Sequence, residues 1–227
     1  MASGGALLSQ ATTETVFRLC PSARLSIPIR VKYKSLLLFG APGSGKGTQG
    51  KILGTVPGFF HVSCGDVFRS IDLRSPIGNA FLEYSSRGEL VPDQMAIDMW
   101  AEQIQKQVAL GRFKPEIDSL VLDGIPRNVP QAEMLMERLD VRRVFHLSCP
   151  DRAKLVERLK KRALRDNRLD DINEDVITQR LKTYDHETKP VLDFYGEKLV
   201  TTVDATQWPY QVLRNILNIL DEHDFTH

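Results

Sequence analysis

Apolar runs alternate with longer amphipathic stretches through most of the chain. Five short apolar runs predict buried strands: one that ends at Gly40, followed by residues 59–63, 119–122, 143–148 and 199–203. The stretches between them carry apolar residues at three- and four-residue spacing, which is typical of amphipathic helices. Strands that alternate with helices predict an α/β fold with a five-stranded parallel sheet covered on both faces.

Two of the predicted helices lie together between one pair of consecutive strands. Residues 75–87 and 92–109 form two predicted helices inserted between consecutive strands, joined by a turn at 88–91, and we expect residues 63–109 to form a mobile flap. The other predicted helices cover residues 150–165, a long stretch from the loop at 167–171 to about residue 196, and residues 208–223.

A glycine-rich loop follows the first predicted strand and leads into a helix. Residues 40–49 read GAPGSGKGTQ, and the spacing from Gly40 to Lys46 fits the phosphate-binding pattern G-x-x-x-x-G-K. Glycines let backbone N–H groups converge on phosphate oxygens at a helix start, and Lys46 adds a positive charge. Gly47 occupies the usual Ser/Thr position, so we assign the hydroxyl role to Thr48. The alternative is a glycine-rich turn without a ligand, which the flanking strand and helix disfavour.

An acid ends the third predicted strand. Asp123 follows the run SLVL and precedes the tight turn Gly124 to Arg127. A carboxylate at the end of a strand beside the phosphate loop can hold the water shell of Mg²⁺. The alternative role for Asp123 is that of a helix cap.

Composition limits the partners. The 227 residues are 42% hydrophobic and 26% charged with a net charge of +1, which suits one globular domain and gives no general attraction to nucleic acid or membranes. No apolar run is long enough to span a bilayer. The three cysteines form no C-x-x-C pair, so a reducing compartment such as the cytoplasm is expected.

Residues 1–34 differ from the rest of the chain. They contain five Arg or Lys residues against the single acid Glu14, with many Ser, Thr and Ala. This composition indicates either a disordered extension or an organelle transit peptide. The folded domain is therefore expected to cover residues 35–227.

Taken together, these motifs resemble the adenylate kinases of the nucleoside monophosphate kinase family. The motifs that carry the resemblance are GAPGSGKGTQ at 40–49, GDVFR at 65–69, LVLDGIPRNVPQAE at 120–133, and RLDD at 168–171 followed by Arg180. The Gly47-Thr48 ending is the form that this family uses. The resemblance implies a P-loop NTPase three-layer sandwich with a mobile flap and a short lid at about residues 164–171.

The resemblance also implies two nucleotide sites. ATP would be bound by Gly43, Ser44, Gly45, Lys46, Gly47, Thr48, Arg158 and Gln207. AMP would be bound by Cys64, Arg69, Glu89, Leu90, Val91, Gly124, Ile125, Pro126, Arg127, Gln131, Arg168 and Arg180. The catalytic charges would come from Lys46, Arg127, Arg162, Arg168 and Arg180, and Mg²⁺ would be held at Thr48 and Asp123 through water.

Three features depart from the family pattern. Cys64 stands where Thr is common near the AMP base, Ile125 replaces the usual Phe, and the DDINED segment at 170–175 is one residue longer than common versions. The last makes the register of Arg180 less secure. The short lid lacks the cysteines of zinc-bearing relatives, so no structural zinc is expected.

The expected reaction is reversible phosphoryl transfer from MgATP to AMP by a monomer. A pyrimidine monophosphate (UMP/CMP) kinase is the alternative on the same scaffold, although Gln131 favours adenine. A P-loop switch of the GTPase kind is disfavoured because the chain has no N-K-x-D guanine motif and carries a second phosphate grip at Arg69 and Arg127.

Overall fold

A five-stranded parallel sheet forms the centre of the molecule. The computed structural model describes residues 32–166, 168 and 171–222. The strands are β1 (Tyr33–Phe39), β2 (Phe59–Ser63), β3 (Ser119–Asp123), β4 (Leu139–Ser148) and β5 (Val200–Asp204). They lie in the order β2-β3-β1-β4-β5, and every neighbouring pair is parallel. The predicted α/β class and strand number are therefore confirmed.

Nine α-helices are described around this sheet. They are α1 (Lys46–Leu53), α2 (Cys64–Arg69), α3 (Pro76–Ser86), α4 (Asp93–Ala109), α5 (Val129–Leu135), α6 (Arg152–Asp166), α7 (Glu174–Thr183), α8 (Pro190–Tyr195) and α9 (Pro209–Glu222), with one π-helical segment at Tyr184–Thr188 between α7 and α8. Side-chain caps fix several starts. Ser75, for example, accepts a hydrogen bond from the N–H of Gly78, and Asn128 accepts one from the N–H of Gln131.

Two apolar layers sandwich the sheet because strand side chains alternate between its faces. On β1, Leu36 and Leu38 pack with residues of α6, α7 and α9, whereas Leu37 and Phe39 pack with residues of α2, α4 and α5. All four of these β1 side chains are buried. A central parallel strand buried on both faces explains the continuous apolar run before Gly40.

The element bounds differ from the expected ones at three places. Strand β1 begins at Tyr33, so two residues assigned to the extension belong to the sheet, and the rest of the assignment to residues 1–34 falls almost wholly outside the described residues. Strand β4 begins at Leu139, four residues earlier than expected. The long helix to residue 196 is broken into α7, the π-helical segment and α8, because Pro190 has no N–H to continue an α-helix.

The expected flap at 63–109 contains two kinds of helix. In α3 only Gly78 is buried, whereas α4 buries Ile97, Trp100 and Ile104 in the same apolar layer as β1 and β3. Helix α4 is thus part of the core. No described helix is both long and apolar enough to cross a membrane.

Candidate active site

A cleft of about 820 Å³ opens at the carboxyl ends of β1 and β3. This is the edge of a parallel sheet where loops from several strands meet, and it is a common ligand position in α/β folds. All but one of the expected site residues line this cleft, and the exception is Ile125. The structure thus brings the residues together, although their individual roles remain predictions.

The loop after β1 has the backbone conformation that glycine permits. Gly43 and Gly45 have φ of 84° and 101°, in the left-handed region that other residues rarely adopt. A Cβ on Gly43 would lie 2.9 Å from the carbonyl oxygen of Leu155, so α6 packs directly on the loop. The loop at the start of α1 lines the cleft, and its glycines place no side chain over their own backbone, as an anion site requires.

Lys46 is drawn against this loop. Its Nζ donates to the carbonyl oxygens of Gly40 at 2.6 Å and Ala41 at 3.1 Å. Burial lowers the pKa of Lys46 to about 8; the charge of Asp123 opposes the shift, while Arg127 and other arginines add to it. The ammonium is thus a poorly solvated charge that phosphate oxygens can stabilise.

Asp123 meets the phosphate loop from β3. It is buried and pairs in register with Leu38 of β1, and a Cβ on Gly47 would lie 3.3 Å from its Oδ2. This close approach explains why glycine, rather than Ser or Thr, follows Lys46. The hydroxyl of buried Ser44 has no hydrogen-bond partner in the described part of the chain, while Thr48 is exposed. A carboxylate with nearby hydroxyls is a hard oxygen donor set, which fits Mg²⁺.

A buried carboxylate holds two of the arginines. Asp171 is fully buried, its Oδ2 accepts from Nε of Arg162 at 2.7 Å, and its Oδ1 accepts from Nη1 of Arg180 at 2.5 Å. Helices α6 and α7 therefore present both guanidinium groups at one end of the cleft. Despite the longer DDINED segment, Arg180 lies beside Arg162, because both side chains pair with Asp171.

A second carboxylate links the expected flap and lid. Asp66 in α2 accepts from Arg69 at 2.6 Å and from Arg168 at 3.3 Å, and Lys51 lies 3.9 Å away. Burial opposes ionisation, but the hydrogen bond and charge of Arg69 together with the other cations hold the pKa of Asp66 below its usual value. Its carboxylate therefore carries the counter-charge that a bound phosphate would otherwise supply.

The acceptor side of the cleft is built around Arg127 and Gln131. Nε of Arg127 donates to the carbonyl of Gly124 at 2.9 Å, which fixes the guanidinium at the cleft wall. Gln131 is 1% exposed; its Oε1 accepts from the N–H of Arg127 and its Nε2 donates to Asp93, each at 2.8 Å. Its amide is therefore held by the protein on both sides.

Cys64 and the turn at 88–91 complete this side. Cys64 is buried at the start of α2, and burial raises the pKa of its thiol to about 11, so it stays neutral. Gly88 has φ of 71°, and its carbonyl accepts from Oγ1 of Thr183 at 3.1 Å, which places the turn against α7 beside Arg180.

Ile125 was assigned to the AMP site, but the structure places its side chain outside the cleft. Its side chain is 2% exposed and packs in the apolar layer with residues of α2, α4 and α5. Within the turn, Gly124, Pro126 and Arg127 line the cleft while Ile125 points to the core. The exchange of the usual Phe for Ile therefore changes core packing rather than a substrate contact.

The expected ATP-base side lies between α6 and the loop after β5. Nη1 of Arg158 donates to the carbonyl of Ala205 at 2.8 Å, and Nε2 of Gln207 donates to Asp204 at 3.2 Å. Trp208 follows in this loop, lines the cleft and is 71% exposed. A guanidinium plane and an exposed indole are both surfaces on which a base can stack.

Three acids were not singled out as site residues from the sequence: Asp66, Asp93 and Asp171. Asp66 lies within GDVFR and Asp171 within RLDD, so the motifs contained them, but their partners are up to 102 residues distant. Asp93 stands only as an ordinary acid in the first turn of α4. Among the described residues, no group of three or more His, Cys, Asp or Glu side chains is suited to a metal ion.

Comparison with known proteins agrees with this geometry. The family model described as adenylate kinase matches residues 38–200. An adenylate kinase of a Cyanothece species is 37% identical over 195 residues, covering 82% of this chain and 95% of that protein.

Two further relatives extend the comparison. An adenylate kinase of Porphyromonas gingivalis is 38% identical over 172 residues, covering 73% of this chain and 84% of that protein. One of Chlamydia muridarum is 32% identical over 225 residues, covering 84% and 88%. The cleft geometry, the matched family model and these relatives together show that the chain belongs to the adenylate kinase family.

Proposed function

We propose that this cleft catalyses reversible phosphoryl transfer from MgATP to AMP, giving two ADP. The observation that carries the proposal is that two candidate phosphate sites line one cleft. The loop with Lys46 forms the first, and Arg69 and Arg127 form the second. A nucleotide switch needs only the first of these sites, whereas a nucleotide kinase needs both.

The residues act by position and charge. The acceptor phosphate is already a nucleophile, so no general base is required. Lys46 and the loop N–H groups hold the donor phosphates, while Arg127 and Arg69 hold the acceptor phosphate in line with them. Arg162, Arg168 and Arg180 stabilise charge on the transferring group, because a guanidinium stays charged and can bond two phosphate oxygens at once.

Mg²⁺ would be held at Asp123 and Thr48, with Ser44 as a further hydroxyl in the same loop. The buried carboxylate of Asp123 beside Gly47 and the unpartnered hydroxyl of Ser44 fit a hard cation. When bound, the ion neutralises charge on the donor phosphates. No structural zinc is part of the proposal.

The acid-paired arginines suggest how the site excludes water. Arg69 and Arg168 share Asp66 across the boundary between the expected flap and lid, and exchange of that carboxylate for substrate phosphate would let both segments close over the nucleotides. Closure prevents hydrolysis of ATP. Because α4 is packed in the core, we leave it out of the moving part of the flap.

The partners in the proposal are ATP and AMP. We further propose a monomer in a reducing compartment that acts without nucleic acid or a membrane. The cytoplasm fits this best; an organelle is the alternative if residues 1–34 are a transit peptide, and these residues lie mainly outside the described part of the chain.

One assay tests the proposal. We expect the protein to form ADP from ATP and AMP, and to use AMP at least about a hundredfold better than CMP or UMP by kcat/KM, a difference of about 2.7 kcal/mol. The variant Gln131→Leu should lose most of this preference, since the buried amide is the group that reads the base. Comparable use of a pyrimidine by the wild type would instead favour the UMP/CMP kinase alternative.

A further inference from the structure

Asp93 touches the expected base-reading residue but was not assigned a role. It is the first residue of α4, and one oxygen, Oδ1, accepts from Nε2 of Gln131 and from Nδ2 of Asn128, both at 2.8 Å. Asn128 in turn caps α5 by accepting from the N–H of Gln131 at 2.9 Å. Asp93 therefore holds both the side chain and the local backbone of Gln131.

These contacts permit one orientation of the Gln131 amide. An ionised carboxylate only accepts hydrogen bonds, so the amide must turn its NH₂ group toward Asp93. On the other side, the N–H of Arg127 donates to Oε1. Turning the amide over would place an oxygen against the carboxylate and NH₂ against N–H, and both contacts would be repulsive.

The fixed amide has one remaining N–H and one remaining lone pair for a base. Adenine offers a complementary edge, with a donor at its exocyclic amine and an acceptor at the adjacent ring nitrogen. Hypoxanthine, the base of IMP, offers the opposite pattern, with an acceptor oxygen and a ring N–H. A glutamine free to turn over could serve either base, whereas a glutamine held in one orientation serves only adenine.

We propose that Asp93 is a positioning residue that sets the acceptor base by holding the Gln131 amide in the orientation that accepts AMP and rejects IMP. The inference rests on the proposed function, since it concerns the acceptor site of that reaction. It assigns Asp93 no contact with the substrate.

Asp93 could act as a hydrogen-bond acceptor for Gln131 or only as a negative charge at the start of α4, and a matched pair of variants separates these two roles. Asp93→Ala removes the acceptor oxygen, whereas Asp93→Asn removes the charge but keeps an oxygen that can accept from Gln131. For Asp93→Ala we expect KM for AMP to rise about tenfold, the loss of about one buried hydrogen bond, with KM for ATP within about twofold of wild type. The AMP/IMP ratio of kcat/KM should fall about tenfold, and Asp93→Asn should restore most of it.

Three outcomes would overturn the inference. Equal effects of the two variants would assign the role to charge, and an unchanged AMP/IMP ratio in Asp93→Ala would show that the amide needs no such support. The third is additivity: in the Gln131→Leu background, Asp93→Ala should add little to the loss of base preference, so a full further loss would show that Asp93 acts by another route.

Two measurements keep the test decisive. In ¹⁵N-labelled wild-type protein the side-chain NH₂ of Gln131, identified by its loss in Gln131→Leu, should exchange with water much more slowly than exposed amides; fast exchange would contradict the tether even if Asp93→Ala did not fold. Failure of the wild type to phosphorylate AMP would overturn the proposed function itself. A third result would overturn only the role of Asp93. In that result Asp93→Ala keeps the preference for AMP over IMP, whereas Gln131→Leu loses it.

Discussion

The two halves of the cleft that we propose to bind phosphate are built differently. The donor half takes its shape from one loop and one neighbouring strand end, and its charge, Lys46, bonds to carbonyls of its own loop. The arginine half gathers guanidinium groups from separate segments, and carboxylates hold them: Asp66 holds Arg69 and Arg168, and Asp171 holds Arg162 and Arg180. The donor half is preorganised by backbone, whereas the arginine half is organised by counter-charges, at least one of which substrate phosphate can replace.

Removing the donor-side charge should have the largest effect. We expect Lys46→Met to lower turnover about a thousandfold or more, about 4 kcal/mol of transition-state stabilisation, without loss of the fold. Steady-state rates and a thermal melt measure both. Lys106→Met, at an exposed position of α4 away from the cleft, is the control and should be near wild type. Near-normal turnover of Lys46→Met would refute the phosphate-loop assignment.

Two arginines on the other half should respond differently. Arg168 donates a hydrogen bond to Asp66, and we propose that it reaches the substrate only when the site closes. We therefore expect Arg168→Ala to lower kcat by about a hundredfold or more, with a smaller change in AMP affinity. Arg127 is fixed to Gly124 at the cleft wall, so Arg127→Ala should mainly weaken AMP binding.

Binding titrations of AMP beside turnover measurements distinguish these cases. If Arg168→Ala weakened AMP binding as much as it lowered kcat, Arg168 would be a ground-state contact and the two halves would be equally preorganised.

Asp171 tests whether counter-charges organise the arginine half. Asp171→Asn replaces the fully buried carboxylate that bonds to Arg162 and Arg180 with a neutral amide, so we expect a loss of about 3 kcal/mol in the free energy of unfolding. Displaced guanidinium groups should also lower kcat by about a hundredfold.

The control for Asp171→Asn is Glu174→Gln, which breaks the exposed ion pair with Lys160 at the start of α7, three residues after Asp171. Solvent screens an exposed ion pair, so this variant should melt close to wild type and turn over normally. If the two variants melted alike, Asp171 would not organise the arginine pair.

This difference between the halves also explains what could be predicted from the sequence. Lys46 and Gly47 are fixed by local spacing, and Asp123 by its place at a strand end, so the donor half could be located before the structure was known. The ion pair of Asp66 with Arg168 joins residues 102 positions apart, and the hydrogen bond from Gln131 to Asp93 joins residues 38 positions apart. No local sequence pattern predicts such contacts. The sequence motifs contained several of these residues, but they did not show which side chains the residues contact.

The fold could be predicted for a similar reason. Apolar runs gave the five strands because a parallel sheet buries both faces, whereas the break of the long helix before Pro190 was overlooked although proline signals it. The sequence did not reveal that the Ile125 side chain is buried, because a tight turn sends adjacent side chains in different directions. Its neighbours Gly124 and Pro126 face the cleft, while Ile125 faces the core.

The smallest effect concerns pH, and it separates the halves without mutation. Because the pKa of Lys46 is lowered to about 8, its ammonium loses its proton as pH rises through that value in the free enzyme. We therefore expect kcat/KM for ATP to be constant near pH 7 and to be about tenfold lower at pH 9, since kcat/KM reports groups of the free enzyme. Measured at saturating ATP, kcat/KM for AMP should change little between pH 7.5 and 9, because bound phosphates keep Lys46 charged and arginine does not titrate there. The control variant is Lys46→Arg, which should be slower but cannot titrate in this range, so its kcat/KM for ATP should not change with pH. If kcat/KM for ATP and for AMP fell in parallel in the wild type, the pH dependence would arise outside the donor half.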